Sequence, residues 1–150
     1  MADNPERALL ADILKRGGTD VPVRTNPVFA DLDARIAKLE PGRVTLHFHA
    51  GDRARQSDGI VHGGMVSAML DGSMAFAVMS RLAEGETTAT ISLTVNFLSA
   101  ARDGACRAEA AIERLGRRVA FTRATLTSTD GKPVASATAS FAVIPAPAGG

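Results

Sequence analysis

The sequence predicts an α+β fold in which a curved antiparallel sheet wraps around one long central helix. Residues 63–82 form a nearly uninterrupted apolar stretch, which is typical of a helix buried on most of its sides. Strand-like segments follow this stretch with no second long helix between them. Wrapping a sheet around the helix is the economical way to bury it, so the two observations together predict this architecture.

Before the central helix, the chain divides into a short helix, a connector and one strand. Asn4-Pro5 is a typical helix start and Gly17-Gly18 a typical end, so residues 1–28 are predicted to hold an N-terminal helix and a connector. Residues 29–144 are predicted to form the main domain, and 145–150 a flexible tail. Apolar and polar residues alternate from Arg43 to Ala50, which predicts a strand.

Four further strands are predicted after the helix, each from apolar residues at alternate positions. They cover residues 90–98, 106–112, 119–127 and 135–143, and Asp130-Gly131 marks a tight hairpin between the last two. The first of them has an apolar face made of Ile91, Leu93, Val95 and Phe97. The small residues of the last strands suggest that the second face of the sheet packs against another protomer.

Composition excludes several classes of function. The net charge of +1 and the lack of tryptophan and tyrosine give no reason to expect a nucleic-acid partner. The first residues do not resemble a secretory signal, and the apolar stretch is short and holds an acid, so we expect no membrane span and a cytoplasmic location. One cysteine, Cys106, excludes an internal disulfide, and His47 and His49 lack a third metal ligand, so no metal is expected.

Asp71 is the only charged residue of the central helix before Arg81. Burying a carboxylate is costly unless the group is paired or used, so we expect Asp71 to be a catalytic nucleophile or general base. The alternative is a structural acid bonded to a helix end or to an arginine.

The helix begins at His62-Gly63-Gly64, where unpaired backbone N–H groups and the helix dipole favour negative charge. Glycine lets a ligand approach the backbone, so this end could stabilise the oxyanion that forms when a carbonyl is attacked. The simpler alternative is a tight turn into the helix. Eight residues separate Gly63 from Asp71, which is roughly 12 Å of helix rise. One carbonyl cannot contact both groups on one helix, so the sequence favours a homodimer with shared sites.

The pattern Gln56-x-x-Gly59-x-x-His62-Gly63-Gly64, followed by Asp71 and by Thr-Ile-Ser-Leu-Thr-Val-Asn-Phe-Leu at 90–98, resembles the hotdog-fold acyl-CoA thioesterases. Within these it is most similar to the phenylacetic-acid-pathway group, and the resemblance runs from about Phe29 to Val143. It implies hydrolysis of an acyl-CoA, with aryl-acetyl or medium- to long-chain acyl groups, by a homodimer that pairs into a tetramer. It implies no metal or organic cofactor.

The resemblance also implies individual roles. The Gly63 N–H would polarise the thioester carbonyl, Asp71 of the partner would attack or activate water, and Gln56 would hold the water or the thioester. Thr90, with Ser92 as second choice, would support the acid. The helix start, His62 and Gly64, would contact the substrate.

Cations are needed for the coenzyme A phosphates, and Arg81, Arg117 and Arg118 are the candidates. Two other functions remain open at this point. The chain could be a non-catalytic acyl-CoA binding module, or, less in keeping with the position of His62, an enoyl-CoA hydratase or dehydratase.

Overall fold

The computed structural model of the chain describes residues 2–147. Its helices and strands, in chain order, are α1 (Pro5–Arg16), β1 (Val21–Pro22), α2 (Pro27–Asp31), β2 (Arg35–Glu40), β3 (Arg43–His49), α3 (Gly63–Met79), β4 (Glu86–Phe97), β5 (Ala105–Leu115), β6 (Val119–Ser128) and β7 (Pro133–Pro145). No helix among them is both long enough and apolar enough to cross a membrane.

The strands form one antiparallel sheet in the order β1-β2-β3-β5-β6-β7-β4. The central helix α3 packs against β3, β4, β5, β6 and β7, and its buried side chains join those of the sheet in one core. This is the hotdog architecture predicted from the sequence. The strands at 43–49, 105–115, 119–128 and 133–145 match the predicted ones closely.

The N-terminal helix packs into the same core instead of forming a separate unit. Asn4 caps α1 through its side-chain oxygen, as predicted, and its Nδ2 also donates to Thr87 Oγ1 at 2.8 Å. Leu10 and Ile13 of α1 are buried in the core. The predicted connector contains a two-residue strand, β1, which pairs with β2.

An ion pair also holds the start of α1 against the loop after α3. Arg7 bonds both carboxylate oxygens of Asp3, and Asp3 accepts the Gly85 N–H at 3.3 Å. The hydrogen bond from Arg7 lowers the pKa of Asp3 to about 2. Polar contacts, as well as the buried core, therefore hold the start of α1 against the loop after α3.

Two predicted boundaries differ from the structure. The helix α3 ends at Met79 and not near Leu82; Ser80 follows it and accepts the Gly42 N–H through Oγ. The tail predicted from residue 145 begins later: Pro145 belongs to β7, and buried Ala146 donates its N–H to Gly85 O at 2.8 Å. The remainder of the predicted tail, residues 148–150, lies outside the described residues.

One edge of the sheet is β4, which pairs only with β7. Leu93, Val95 and Phe97 lie on its helix-facing side, as their alternation predicts, opposite small alanines of β7. The apolar side chains at this edge are only partly covered within one chain: Ile91 is 58% exposed and Phe97 57% exposed. A long apolar edge strand of this kind is a template for pairing with another chain.

The glycine at position 72 lets α2 pack directly on the central helix. The ring of Phe29 lies against Gly72 so closely that an added Cβ would be 2.2 Å from Phe29 Cζ. The same ring contacts Phe48 and Phe76, with ring centroids 5.1 and 5.2 Å away. Gly72 therefore provides space that this aromatic cluster fills.

We expect Gly72→Ala to lower the free energy of unfolding although alanine favours helix by about 1 kcal/mol over glycine. The new methyl group would overlap the Phe29 ring, and overpacking of a core costs about 1–3 kcal/mol. Urea denaturation measures the change. The double variant Gly72→Ala, Phe29→Leu should lose less than the sum of the two single variants, because leucine vacates the space. Simple additivity would show that the close contact is not the cause.

Candidate functional site

The first turn of α3 leaves one backbone N–H without an acceptor. His62 precedes the helix, and its Nδ1 accepts the Gly64 N–H at 3.0 Å. The His62 carbonyl accepts the N–H groups of Met65 and Val66. The Gly63 N–H has no acceptor among residues 2–147. Of the four amides that a helix start normally leaves unpaired, only Gly63 is thus available to a ligand.

At the helix start, the side chain of His62 caps the amide of Gly64. The predicted contact of these two residues with substrate stays a prediction. A histidine nitrogen accepts a hydrogen bond only when it carries no proton, so the cap requires neutral His62 protonated on Nε2. Histidine is an uncommon helix cap, which is why the sequence pattern alone did not reveal this function.

Gly63, which carries the free amide, lines a cleft of about 360 Å³. Gln56 and Gly63 share this cleft. The ring of Phe97 lies beside Gly63, 3.4 Å from where a Cβ would be. The rest of the lining is apolar or small and contains no charged side chain; it comprises Ile60, Val61, Val66, Leu98, Ser99, Ala100, Ala101 and Val134.

Gln56 lies at the start of a tight turn before the helix. Its N–H donates to Ile60 O at 2.9 Å, and its carbonyl accepts the Gly59 N–H at 3.0 Å. The Gln56 side chain is exposed, and Nε2 has only a long contact of 3.4 Å with Asp58 Oδ2. The amide of Gln56 can therefore turn toward a ligand in the cleft at little cost.

Asp71 lies two turns along α3, and Thr90 of β4 holds its carboxylate. Thr90 Oγ1 donates to Asp71 Oδ1 at 2.8 Å. Within residues 2–147, Oδ2 has no hydrogen-bond partner and no arginine or lysine forms an ion pair with this carboxylate. These contacts argue against the structural-acid alternative, in which an arginine or a helix end would bind Asp71.

The expectation that Asp71 is buried is wrong for the single chain. The residue is half-exposed, because the sheet leaves one side of α3 open next to the β4 edge. Gly64, Ser67, Ala68 and Ala75 share that open side. A carboxylate that keeps water contact and one hydroxyl donor does not need to be neutralised.

Thr90, and not Ser92, is the hydroxyl that contacts the acid. A β-bulge between these two residues shifts the register with β7, so Thr90 faces α3. Ser92 faces the opposite side of the sheet, where its Oγ lies 2.7 Å from Ser140 Oγ. The prediction that Ser92 supports the acid or contacts substrate at this site is therefore wrong.

The three candidate arginines are exposed and lie at the far end of α3 from Gly63. Arg81 follows the helix and packs beside Gly42, and Ile112 of β5 packs on the other side of that glycine. Arg117 and Arg118 are in the turn that follows the same strand. Seventeen residues of helix correspond to roughly 25 Å, so within one chain these guanidinium groups are remote from the free amide.

The cysteine and the two strand histidines form no catalytic or metal-binding arrangement in the described part of the chain. Burial raises the pKa of the Cys106 thiol to about 11, and nearby Asp103 contributes, so this thiol stays protonated near neutral pH. His47 and His49 are exposed on β3, and no three potential metal ligands cluster within residues 2–147.

Two residues near the cleft were not found from the sequence. Phe97 was recognised as part of an apolar strand face but not as the neighbour of Gly63, because that contact depends on how the strand crosses the helix. Arg55 donates hydrogen bonds to two backbone carbonyls beside the cleft. No local pattern marks an arginine that binds the main chain.

Comparison with known sequences decides the family. The profile of the thioesterase superfamily matches residues 58–135, slightly more than half of the 150 residues. The chain belongs to the thioesterase superfamily. The resemblance identified from the motif around Gly63 is thereby confirmed, and membership agrees with the thioester hydrolase expected from the sequence.

Solved structures of thioesterases share this fold. A thioesterase family protein of Silicibacter pomeroyi is 29% identical, with a TM-score of 0.78 over 94% of this chain and 99% of that one. A thioesterase of Ralstonia eutropha JMP134, described as related to phenylacetic acid degradation, is 33% identical, with a TM-score of 0.76 over 89% and 98%. A thioesterase protein of Streptococcus pneumoniae TIGR4, solved with coenzyme A, is 22% identical, with a TM-score of 0.69 over 77% and 88%.

A curated relative of this thioesterase-superfamily chain is named as an esterase of Saccharolobus solfataricus. It is 27% identical over 99 residues, which are 65% of this chain. The match covers 64% of the relative, slightly less than two thirds of its length.

The cap at the helix start can be tested by stability. We expect His62→Ala to lower the free energy of unfolding by about 1 kcal/mol, because the Gly64 N–H loses its acceptor. His62→Asn restores a side-chain acceptor at the same place and should recover most of the loss. Urea denaturation of the three proteins is the measurement, and equal stability of His62→Ala and wild type would contradict the role of His62 as a cap.

Proposed function

We propose that this protein is an acyl-CoA thioesterase, which hydrolyses a coenzyme A thioester to the free acid and coenzyme A. The observation that carries the proposal is the single free amide at the start of α3, Gly63 N–H, on a residue that lines an apolar cleft together with Gln56. A backbone donor at a helix start is suited to an oxyanion. Asp71, held by Thr90 with one oxygen free, supplies the second requirement, a nucleophile or general base.

The reaction proceeds through a tetrahedral intermediate. In one route, Asp71 removes a proton from a water molecule while the water oxygen bonds to the thioester carbon. In the other route, an Asp71 oxygen bonds to that carbon first, and water later hydrolyses the resulting anhydride. In both routes the carbonyl electrons move to the oxygen, which accepts the Gly63 N–H. The C–S bond then breaks, and the thiolate of coenzyme A takes up a proton. No metal or organic cofactor is needed for these steps.

The lining of the cleft suggests a neutral, apolar acyl group. Phe97 and Leu98 form an exposed apolar wall beside Gly63, and no charged side chain lines the cleft. Burying a carboxylate or ammonium there without a partner would be unfavourable. Aryl-acetyl and medium-chain acyl groups therefore fit better than acyl groups that end in a charge.

Coenzyme A as the thiol component is supported by the Streptococcus pneumoniae thioesterase protein, which was solved with coenzyme A. The exposed side chains of Arg81, Arg117 and Arg118 could bind the phosphates. Because they lie at the far end of α3, they would serve the site of a partner chain that runs antiparallel to this one.

We propose that two copies pair through β4 and share their sites. Gly63 lies beside Phe97, and Asp71 is bound to Thr90, so both halves of the site are attached to this strand. A twofold axis through Thr94 would place Phe97 opposite the partner's Thr90–Ile91 segment, where β4 bulges. Gly63 of one chain would then lie near the partner's Asp71. The two groups could thus act on one substrate although they are roughly 12 Å apart on a single helix.

The same pairing would account for the exposed edge. Antiparallel pairing satisfies the free backbone groups of β4, and Leu93 would lie opposite the partner's Val95. Contact between sheets of two dimers, which the small residues of the last strands suggest, would make the tetramer; this assembly and the cytoplasmic location stay predictions.

Replacing Asp71 tests the function directly. We expect Asp71→Asn to lower the rate of free-thiol release from acyl-CoA esters about 10²–10⁴-fold, because the amide cannot act as base or nucleophile. The acceptor for Thr90 is kept, so the unfolding midpoint should change little. The panel contains aryl-acetyl, medium-chain, long-chain and succinyl esters, and succinyl-CoA should be the poorest substrate.

Asp12→Asn, which changes an exposed carboxylate of α1, is the matched control and should keep full activity. Turnover retained by Asp71→Asn would remove this residue from the mechanism. Binding of acyl-CoA without turnover by wild type would favour the binding-module alternative, and loss or gain of water across an enoyl ester would favour the hydratase alternative.

Shared sites predict complementation between two chains that each have strongly lowered activity. Gln56→Ala impairs the half-site around Gly63, and Asp71→Asn impairs the other half. When the two proteins are mixed and exchange subunits, some dimers would carry one intact site, so we expect activity to recover to a fraction of wild type. Subunit exchange is followed with fluorescent labels. Full exchange with no recovery would mean that each site is built within one chain.

A further inference from the structure

We infer that Arg55 is a positioning residue that holds Gln56 in place for the reaction. The inference rests on the proposed function, in which Gln56 acts on the water or the thioester. Arg55 follows the short 3-10 turn at Asp52–Ala54 and immediately precedes Gln56. Its side chain is half-buried beside the cleft and forms no ion pair with a carboxylate in the described residues.

The guanidinium group instead binds two carbonyl oxygens. Arg55 Nη1 donates to Gly59 O at 2.6 Å and to Arg102 O at 2.5 Å. This nitrogen carries two N–H bonds, so it can satisfy both acceptors at once. Hydrogen bonds from a charged donor are stronger than those between neutral groups.

The two carbonyls belong to the two walls of the cleft. Gly59 is in the turn from Gln56 to Ile60, which forms one wall, and Arg102 follows Ala100 and Ala101 of the other wall. The main chains of these walls also meet directly, through the Val61 N–H and the Ala101 carbonyl at 2.9 Å. Arg55 therefore adds a second bridge, at the tip of the turn that carries Gln56.

The surrounding backbone is shaped to admit the guanidinium. An added Cβ at Gly104 would lie 2.7 Å from Arg55 Nη2 and 2.4 Å from Ala50 O. Gly104 also has φ +80°, a left-handed conformation that glycine adopts readily. Only glycine fits between Arg55 and the backbone at Ala50, and position 104 is a glycine.

This arrangement gives Arg55 a specific effect. The side-chain amide of Gln56 is exposed and only weakly bound, so its place in the cleft depends on the turn that carries it. Without Arg55, the tip at Gly59 loses its link to the opposite wall. A displacement of about 1 Å of a group that positions a reactant can cost up to about 10²-fold in rate.

The test compares Arg55→Met and Arg55→Lys with wild type in acyl-CoA hydrolysis. We expect Arg55→Met to lower kcat roughly ten- to a hundredfold, with a much smaller change in KM, because the lost effect concerns alignment at the reacting carbon. Arg55→Lys keeps a charged donor and should recover part of kcat. Arg53→Met is the control, since the Arg53 side chain has no hydrogen-bond acceptor within residues 2–147.

A double variant separates positioning from general support of the fold. If Arg55 acts through Gln56, Arg55→Met should cause no further loss of kcat in a Gln56→Ala background. Additive losses, or equal activity of Arg55→Met and wild type, would overturn the inference while leaving the thioesterase function intact. Inactivity of wild type on every ester would instead overturn the proposed function. Thermal unfolding of each variant identifies any that fail to fold, and Arg55→Lys then carries the comparison.

Discussion

The packing of α3 against a sheet that covers only part of it determines the rest of this molecule. The helix is apolar on most sides, so the core forms wherever strands β3 to β7 contact it. The sheet ends at β4, however, before the whole helix is covered, which leaves one side of α3 and the apolar face of β4 open together. Asp71 is on that open side and Phe97 on that open strand. The incomplete enclosure therefore creates both the candidate site and the surface that a second copy would cover.

At the start of α3, all but one of the first four backbone N–H groups are hydrogen-bonded within the described residues. The carbonyl and the imidazole of His62 accept three of the first four amides of α3, which leaves the Gly63 N–H. A ligand that approaches this end therefore meets a single donor in a defined direction, together with the positive end of the helix dipole. Phe97 limits the approach from one side because its ring lies against Gly63. Which donor is available to a ligand at this point therefore depends on which of the neighbouring amides are already hydrogen-bonded.

The fold was predictable, and candidate site residues could be named, because their signals are local. The apolar run of α3, the alternation of β3 and β5, and the isolated charge of Asp71 can be read within windows of a few residues. The choice between Thr90 and Ser92 was not predictable from alternation alone, because a β-bulge between them reverses which face each side chain occupies. The partial exposure of Asp71 likewise depends on where the sheet ends, which is a property of the strand order. The contacts of Arg55 join residues nearly fifty positions apart and leave no trace in the local pattern.

If two copies pair through the exposed edge as proposed, folding of the chain and completion of the site are separate steps. The core of one chain contains Leu10, Met69, Phe141 and the other fully buried side chains, whereas from the apolar face of β4 only Val95 packs against it. A single chain can therefore fold with Asp71 and Thr90 already in contact. The carboxylate then remains half-exposed to water, and its free oxygen lies roughly 12 Å along the helix from the amide that would bind the oxyanion. Pairing of β4 would exclude that water and bring the two groups together, so the step that buries the apolar edge is the same step that would complete the site.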